Sequence, residues 1–367
     1  MAKKKSTKPK TGWSLSTLLW MLITAITGGG VGGYVNPELP VVGPLVRNCL
    51  KAVTTNVSSS HELPNEGVPS GRLLTNAQLP TAALATNTQL VSSQRPRDKL
   101  LIATFNIQVF GVSKLAKTQV MSVIVQVLRQ FDVVAIQEVR AKEDHILPTL
   151  VAELNADGSR YNFLIGPRLG RTVSTEQYAF VYDTNRVEHD PSSVGTFGDP
   201  QDLLHREPFV ARFRSRTNTP DKAFSFLLLD AHTDPDEVKA EVDTLADVFR
   251  VMQSSQSFED DVILLGDLNA SETQLGKLGQ IPGIRWVVQG AMTNTRQNKA
   301  YDNILFHGPS TREFTGRWGV FDLAKSFQLT IEEALEISDH FPVWAEFDIW
   351  EAPPQSQVTE RARGPIR

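Results

Sequence analysis

The chain has 367 residues, of which 41% are hydrophobic and 8% aromatic, and its 37 Lys and Arg against 41 Asp and Glu give a formal net charge of −4. This length suits one large domain with extensions, or two domains, and the apolar fraction supports a sizeable core. The single cysteine excludes an intrachain disulfide, so the core must be stable without covalent cross-links.

The charge is distributed unevenly along the chain. The formal charge is +7 over residues 1–97, −12 over residues 98–350 and +1 over residues 351–367. A basic segment therefore precedes an acidic one, and the total of −4 describes neither. Nonspecific nucleic-acid binding usually draws on basic surfaces, so the charge of the acidic segment has to be reconciled with any such function.

The amino-terminal region has the composition of a membrane segment. Residues 1–10, predicted to be a basic cytoplasmic segment, contain five lysines, and no charged residue occurs from Thr11 to Pro37. An apolar helix needs about 20 residues to cross the roughly 30 Å hydrocarbon layer. Residues 11–37 are therefore predicted to be a membrane anchor with an extracytoplasmic catalytic domain after it. The alternative is a signal segment whose cleavage releases a secreted protein.

The next region is predicted to be a linker. No Phe, Tyr or Trp occurs from Val35 to Thr104, while Ser, Thr, Asn and Pro recur. Such a composition buries too little apolar surface to offset its chain entropy. We predict a disordered linker over residues 38–97, a folded catalytic domain over residues 98–350 and a flexible tail over residues 351–367.

Short apolar runs with turn residues between them predict strands in the folded domain. They are Lys99–Ile107, Asp132–Gln137, Gln177–Tyr182, Phe209–Phe213, Phe224–Ala231, Asp261–Leu265, Tyr301–Phe306 and Pro342–Phe347. Residues 114–130 and 235–250 have the apolar periodicity of amphipathic helices, and Asp234 before Pro235 marks the predicted start of the second. This alternation predicts an α/β or α+β fold with two sheets and helices outside them.

Polar residues collect at the ends of these strands. They are Asn106, Glu138, His232, Asp267, Asn269, Asp302, Asp339 and His340. Loops at strand ends are where a rigid scaffold carries catalytic groups. Each residue alone also fits an ordinary structural role; an Asp-x-Asn sequence after a strand, for example, is commonly a turn.

Together these residues indicate a chemistry. Asn106, Glu138 and Asp339 offer the oxygen ligands that Mg²⁺ or Mn²⁺ prefers. His232 and His340, with carboxylates near them, suit general acid and base catalysis near neutral pH. The histidines lack the close spacing of zinc ligands, and the sequence contains no GxxxxGK[ST] loop and no GxSxG motif.

Several short segments follow one another along the chain: Thr104-Phe105-Asn106-Ile107, Ile136-Gln137-Glu138-Val139-Arg140, Glu176-Gln177-Tyr178, Arg206-Glu207-Pro208, His232, Gly266-Asp267-Leu268-Asn269-Ala270, Tyr301-Asp302 and Ile337-Ser338-Asp339-His340-Phe341-Pro342-Val343. Their order and residues resemble the endonuclease/exonuclease/phosphatase superfamily, and within it the deoxyribonuclease I branch. The resemblance covers essentially all of residues 98–350.

The resemblance implies an α+β (α/β) four-layer sandwich, in which two packed mixed β-sheets are flanked by helices. It also implies hydrolysis of a phosphodiester with one or two divalent metals. By motif match Glu138 is the main ligand of Mg²⁺ or Mn²⁺, supported by Asn106 and Asp339. A structural Ca²⁺ is also expected from the resemblance, with no residue assigned to it.

The resemblance further implies how protons move. His232, paired with Glu176, and His340, paired with Asp302, share proton transfer to the leaving oxygen and from the attacking water. A carboxylate beside each imidazole fixes its tautomer and raises its pKa.

Four other residues take their implied roles from the same match. Asp267 orients the attacking water, and Asn269 holds a phosphoryl oxygen as charge builds. Arg140 and Arg206 contact the phosphates of a DNA substrate.

The sequence departs from the branch at several positions. Glu272 and Lys299 stand where secreted members carry a cystine, and we hypothesise an ion pair between them. Gln108 stands where the branch often has a phosphate-binding arginine, and Ser174 where it has a tyrosine that enters the minor groove. The last two departures predict weaker binding of duplex DNA.

The resulting hypothesis is a metal-dependent, sequence-tolerant DNA endonuclease held at a membrane, with no protein partner evident. One alternative is a membrane-held phosphodiesterase or phosphatase for lipid headgroups, similar to sphingomyelinases. Another is a catalytically dead binding module, although the motif residues are all present. An apurinic-site nuclease is a further alternative.

Overall fold

A computed structural model of the chain describes residues 34–35, 95–171, 175–255 and 259–353. The strands are β1 Tyr34–Val35, β2 Lys99–Phe110, β3 Val133–Val139, β4 Tyr161–Ile165, β5 Gln177–Asp183, β6 Val187–His189, β7 Gly195–Thr196, β8 Phe209–Ser215, β9 Ser225–His232, β10 Val262–Asp267, β11 Ile284–Trp286, β12 Asp302–His307, β13 Phe314–Val320 and β14 Val343–Asp348. The α-helices are α1 Val112–Leu115, α2 Thr118–Leu128, α3 Ile146–Leu154, α4 Val238–Ser255, α5 Leu323–Phe327 and α6 Ile331–Ile337.

The strands form two mixed sheets that pack face to face. The first has the order β1-β4-β5-β3-β2-β14-β13, and the second has the order β11-β12-β10-β9-β8-β6, with β7 also paired to β8. One apolar cluster fills the space between the sheets, a second lies between the first sheet and helices α2, α3 and α6, and a third lies between the second sheet and α4. The predicted four-layer sandwich is therefore confirmed.

Aromatic side chains dominate the contact between the sheets. Phe180 of the first sheet stacks on Phe209 of the second, with ring centroids 5.2 Å apart, and meets Phe213 edge-on at 5.5 Å. All three side chains are fully buried. Large apolar rings in such geometries contribute more than their buried area alone. The sheets are thus fixed relative to each other, which a site built from both of them requires.

The predicted strands are present, with boundaries shifted by a few residues. The predicted helix over residues 114–130 is two helices, α1 and α2, which are separated at Ala116 and Lys117. The start of the later helix at Asp234 was wrong, because the Asp234 side chain accepts a hydrogen bond from the Asp236 N–H in a turn, and α4 begins at Val238.

Contacts at both ends extend beyond the predicted domain boundaries. The Arg95 guanidinium lies 3.0 Å from carboxylate oxygens of Asp132 and Asp183, and the Ala352 N–H donates to Glu313. β1 pairs antiparallel with β4 at the edge of the first sheet. Apart from Tyr34 and Val35, the predicted anchor lies outside the described residues. No helix in the described part of the chain is long and apolar enough to cross a membrane.

Gly266 allows β9 and β10 to lie close together beside the polar strand ends. It has φ of +144°, and a Cβ atom at this position would lie 1.8 Å from the Ala231 carbonyl oxygen of the neighbouring strand. A side chain cannot be accommodated there without separating the strands. The two strands carry His232 and Asp267 in register, so this glycine determines their separation.

We expect Gly266→Ala to lower the free energy of unfolding by more than about 2 kcal/mol, because it adds backbone strain and a steric clash. Urea unfolding of the full chain measures the change. Gly195→Ala is the matched control, because a Cβ there has no atom within 4 Å, and it should change stability by less than about 0.5 kcal/mol. Equal stability of the two variants would contradict this account of the strand contact.

Candidate active site

The topology brings the polar strand ends of both sheets to one edge of the sandwich. In the second sheet, Asp267 pairs with His232 across the parallel β9–β10 contact and with Asp302 across the antiparallel β10–β12 contact. In the first sheet, β2 and β3 are parallel and carry Asn106 and Glu138 to the same edge. The motif residues lie far apart in the sequence, yet the strand register places them side by side.

Asp267 is the centre of this group. Its Oδ2 lies 3.5 Å from Nε2 of His232 and 3.5 Å from Nε2 of His340, and it accepts a hydrogen bond of 3.0 Å from Nδ2 of Asn106. Its Oδ1 accepts a hydrogen bond of 2.9 Å from the Asn269 N–H. One buried carboxylate thus contacts both imidazoles and the predicted metal-binding asparagine.

Each imidazole is hydrogen-bonded through its Nδ1 atom to a second carboxylate. Nδ1 of His232 lies 2.7 Å from Oε1 of Glu176, and Nδ1 of His340 lies 2.9 Å from Oδ2 of Asp302. The Thr293 hydroxyl donates to the same Asp302 oxygen at 2.7 Å. Both predicted pairs are present, and in each the Nε2 atom points towards Asp267, which is the geometry that proton transfer from Nε2 needs.

The charges of the group stabilise one another. Burial lowers the pKa of His340, but the Asp302 and Asp267 carboxylates raise it to about 10. Burial likewise lowers the pKa of His232, and Glu176 and Asp267 more than compensate, so its pKa is raised. For Asp267, burial raises the pKa, but the two imidazoles outweigh it and the pKa is lowered.

His340 and Asp302 share one proton, and either residue could carry it. Burial raises the pKa of Asp302, although the His340 imidazole lowers it. We place this proton on His340. At 2.9 Å a charged hydrogen bond keeps two opposite charges paired inside the protein, and Asp267 provides a second anion beside the same ring.

The predicted metal ligands fit a divalent cation. Oδ1 of Asn106 is buried and has no hydrogen-bond partner among the described residues, while its amide nitrogen donates to Oε1 of Glu138 at 3.3 Å. Asp339 is close enough to Glu138 for their charges to interact, and burial together with Glu138 raises its pKa although His340 lowers it. A free amide oxygen beside two carboxylates is a hard oxygen donor set.

Carboxylates and imidazoles also form two tight groups with ligand atoms within 4.8 Å of one another. They are Glu138 with Glu176 and His232, and Asp267 with Asp302 and His340. In both, the imidazole Nδ1 is already bonded to a carboxylate. We therefore describe these groups as histidine–carboxylate pairs, and the Asn106, Glu138 and Asp339 oxygens stay the predicted ligands of a cation.

The backbone at the site is strained in three places. Val109, Glu138 and Asn269 have φ of +48°, +65° and +46°, a region that residues other than glycine rarely adopt. The Val109 N–H donates to Oε2 of Glu138 at 2.8 Å, so two of these residues hold each other in place. Register shifts in β2 and β3 occur next to Asn106 and Glu138, where the bulges redirect the side chains.

The two predicted phosphate-binding arginines have different surroundings. Nε of Arg140 lies 3.2 Å from Glu138 and its Nη2 lies 3.5 Å from Glu176, and the side chain is 27% exposed. Arg206 is 5% exposed, donates to the His232 carbonyl at 3.2 Å and lies 3.5 Å from Glu176. Arg206 thus supports the His232 pair directly, while contact of either arginine with a substrate phosphate stays a prediction.

Asn269 uses one of its two side-chain amide hydrogens within the protein. Its Nδ2 donates to the Thr233 carbonyl at 2.8 Å, which fixes the side chain against β9. An amide nitrogen has two hydrogens, so one remains for another acceptor.

Sequence reasoning missed Lys114. The first turn of α1 buries this lysine, whose Nζ donates to the carbonyls of Ile337, at 2.6 Å, and Gln108. Burial lowers its pKa to about 8, although the Asp339 and Glu138 carboxylates oppose this. Nothing in the sequence distinguishes this lysine from a solvated helix residue, because its burial depends on how α1 packs against the loop before Asp339.

Two other residues that fix the site were not singled out. The Tyr178 hydroxyl accepts a hydrogen bond of 2.9 Å from the His232 N–H. The Ser338 hydroxyl donates to the Asn106 carbonyl at 2.7 Å and accepts from the His340 N–H at 3.1 Å, which joins the last loop to β2. Both lie within motifs of the sequence, so position in a motif was the available signal.

The expected ion pair between Glu272 and Lys299 was wrong. Oε1 of Glu272 accepts a hydrogen bond of 2.9 Å from the Gly290 N–H instead, and Lys299 is exposed. The loop satisfies the carboxylate with a backbone donor, so no lysine is needed. Of the other departures, the Gln108 N–H donates to the Ser338 hydroxyl at 3.2 Å, and Ser174 lies outside the described residues.

The chain is similar in sequence to known proteins. The sequence profile described as the Endonuclease/Exonuclease/phosphatase family matches residues 103–340. Deoxyribonuclease-1-like 1 of Homo sapiens is 38% identical over 264 residues, covering 68% of this chain and 85% of that protein. Deoxyribonuclease gamma of Mus musculus is 34% identical over 268 residues, covering 66% of this chain and 83% of that protein. A solved family member from Bacteroides thetaiotaomicron aligns at 20% identity with a TM-score of 0.48, covering 68% and 98%.

The chain belongs to the endonuclease/exonuclease/phosphatase family, in its deoxyribonuclease I-like branch. The resemblance predicted from the motifs is thereby confirmed. The family assignment makes the chain a phosphodiester hydrolase.

We expect Glu176→Gln to lower the pKa of His232, because the anion that favours the imidazolium is replaced by a neutral amide of the same shape. A pH titration of the histidine NMR resonances of the metal-free full chain measures this. Asp302→Asn is the matched variant and should lower the pKa of His340 more than that of His232. An unchanged His232 pKa in Glu176→Gln would contradict the charge network described above.

Proposed function

We propose that the protein is a divalent-metal-dependent, sequence-tolerant endonuclease that hydrolyses DNA. The observation that carries the proposal is the placement of two buried histidine–carboxylate pairs on either side of Asp267, with both Nε2 atoms 3.5 Å from the same carboxylate oxygen. The deoxyribonuclease names of the relatives support DNA as the substrate.

Two proton-transfer groups that flank one carboxylate suit hydrolysis by water. Attack at phosphorus requires that a proton leave the water and that another reach the leaving oxygen. One of the two Nε2 atoms accepts the first proton and the other supplies the second. Glu176 and Asp302 stabilise the imidazolium form in each case, because each lies within hydrogen-bond distance of the other ring nitrogen.

Asn106, Glu138 and Asp339 hold Mg²⁺ or Mn²⁺ in this proposal. When bound, such an ion stabilises the negative charge that develops on the phosphoryl oxygens and the leaving oxygen. Asp267 orients the attacking water, because its Oδ2 faces both imidazoles. The free amide hydrogen of Asn269 is directed to a phosphoryl oxygen, and fixed donors of this kind stabilise charge without reorganising.

The acidic charge of the domain calls for weak and salt-sensitive DNA binding. Two of the positive side chains already form ion pairs within the protein. Arg140 pairs with Glu138 and Glu176, and Arg171 pairs with Asp202 and Glu237. A small positive footprint on an acidic body gives few phosphate contacts, so the affinity is low, and added salt lowers it further because these contacts are electrostatic.

We expect His232→Ala and His340→Ala each to lower the turnover of DNA cleavage by about 10²–10⁴-fold, the usual contribution of a general acid or base. Steady-state cleavage of plasmid DNA in saturating Mg²⁺ or Mn²⁺ measures this. His145→Ala, which removes an exposed histidine at the start of α3, is the control and should keep wild-type activity. Activity that survives either site substitution would overturn the assignment of the pairs.

A substrate panel tests the choice of DNA. We expect the full chain to cleave duplex or single-stranded DNA in Mg²⁺ or Mn²⁺, to lose this activity in EDTA, and to leave sphingomyelin intact. Sphingomyelin belongs in the panel because Val109, which is hydrogen-bonded to Glu138, and Val112 are 55% and 45% exposed and offer apolar contacts to a lipid. Headgroup release without DNA cleavage would replace the proposed function with the lipid alternative.

A further inference from the structure

Lys114 is buried beside the active site, and no step of the proposed reaction uses it. It is 9% exposed, and lysine is almost never buried unless its charge has partners. Its Nζ donates hydrogen bonds to the backbone carbonyls of Gln108 and, at 2.6 Å, of Ile337. One buried ammonium group thus makes charge-assisted hydrogen bonds to two separate segments of the chain.

Both carbonyls lie outside the regular hydrogen-bond pattern of their elements. Gln108 is in the bulge of β2, between Asn106 and Phe110, which pair with β3. Ile337 ends α6, and carbonyls in the last turn have no partner within a helix, while the helix dipole there favours a positive charge. The ammonium group therefore supplies donors to acceptors that need them inside the protein.

The two segments that Lys114 connects carry predicted metal ligands. Gln108 is two residues after Asn106, and Ile337 is two residues before Asp339. Two residues of chain span at most about 7 Å, so a fixed carbonyl restricts the position of the ligand near it. The two hydrogen bonds of Lys114 thus limit how far Asn106 and Asp339 can move apart.

A neutral hydroxyl joins the same two segments. Ser338 donates a hydrogen bond of 2.7 Å to the Asn106 carbonyl and accepts one of 3.2 Å from the Gln108 N–H. An ammonium group carries a positive charge and a hydroxyl does not. Lys114 therefore adds to this connection both a second set of hydrogen bonds and a charge.

The charge of Lys114 acts mainly on the predicted metal-binding carboxylates. Its strongest charge interactions are with Asp339 and Glu138, and weaker ones are with Lys117 and Glu336. Asp339 and Glu138 repel each other, since Glu138 raises the pKa of Asp339. A fixed cation near both carboxylates offsets this repulsion and lets them stay close together before a metal binds.

We propose that Lys114 is a positioning residue that holds Asn106 and Asp339 in the arrangement that binds the divalent cation. The proposal rests on the metal ligands of the proposed function and adds a residue outside them that controls the affinity for metal. A positive charge alone has the opposite effect, because it repels a cation and its removal tightens metal binding. The direction in which the affinity changes therefore separates positioning from charge.

The test is calorimetric titration of the metal-free full chain with Mn²⁺ alone. The binding step that is lost in Glu138→Gln identifies the predicted catalytic site. In Lys114→Met, which keeps the length of the side chain and removes every donor, the Kd of this step should rise about 10-fold, the usual effect of losing a group that orients a metal ligand. Lys114→Arg keeps the charge and the donors, so its Kd should stay within about 3-fold of the wild-type value.

Lys117→Met is the matched control, because it removes a lysine three residues further along whose side chain is 50% exposed and paired with Glu336. Its Kd for Mn²⁺ should equal the wild-type value within about 2-fold, since an exposed charge is screened by solvent and salt. Circular dichroism checks that each variant is folded. Should Lys114→Met not fold, Lys114→Gln removes the charge, keeps one N–H donor group and should raise the Kd by about 3-fold.

DNA cleavage gives a second measurement. The Mn²⁺ concentration for half-maximal cleavage by Lys114→Met should rise about 10-fold, while turnover in saturating Mn²⁺ stays within about 3-fold of the wild type. If the wild type cleaves no DNA, the proposed function fails and the titration still tests Lys114. The inference is overturned if Lys114→Met binds Mn²⁺ as tightly as the wild type or more tightly, if Lys117→Met weakens binding equally, or if Lys114→Arg binds as weakly as Lys114→Met.

Discussion

The arrangement of the active-site residues depends on one electrostatic constraint. The negative charge of the buried Asp267 carboxylate must be compensated by neighbouring groups. Two imidazoles and the Asn106 amide approach its Oδ2, and the Asn269 N–H meets its Oδ1. Each imidazole in turn needs its own anion, so the chain of charges extends to Glu176 and Asp302. Removing any member leaves an unpaired buried charge, which costs more than the pair itself contributes. The site is therefore a single network rather than a set of independent residues.

The fold satisfies this constraint by fixing both sheets beneath the site. Gln137 of the first sheet donates from its amide nitrogen to Asp230 of the second sheet and exchanges hydrogen bonds with Thr104. Asp230 is completely buried, and burial raises its pKa well above the ordinary range although the hydrogen bond from Gln137 lowers it. It lies two residues before His232 on β9. These hydrogen bonds between the sheets fix the position of β9, which carries His232. The stacked phenylalanines fix the distance between the sheets.

The sequence was sufficient to predict eight of the strands and the residues at their ends, because apolar runs and the order of motifs can be read directly from a sequence. It was insufficient where packing or loop geometry decides. Lys114 reads as a solvated helix residue and is buried only because α1 packs against the loop before Asp339. β13 escaped prediction because its glycines and exposed positions lack the usual pattern, whereas α6 could have been found from the capping box of Thr330 and Glu333. The pairing of Glu272 with Lys299 failed because equivalent positions in a family do not determine where long side chains point.

The acidic formal charge of the domain is an argument against a DNA substrate. Burial of several of its carboxylates weakens this argument. Asp132 is fully buried and paired with Arg95 and Arg186. Burial raises the pKa of Asp230 well above its ordinary value, and burial with neighbouring carboxylates raises the pKa of Asp261 to about 9. Formal charge counts each of these as a surface anion, although none contributes fully to the field that an approaching polyanion meets. The anions that remain at the active site are those that a divalent cation compensates in the proposed function. Net charge is therefore a poor guide to substrate for this chain, and the local arrangement of ligands and imidazoles is the better one.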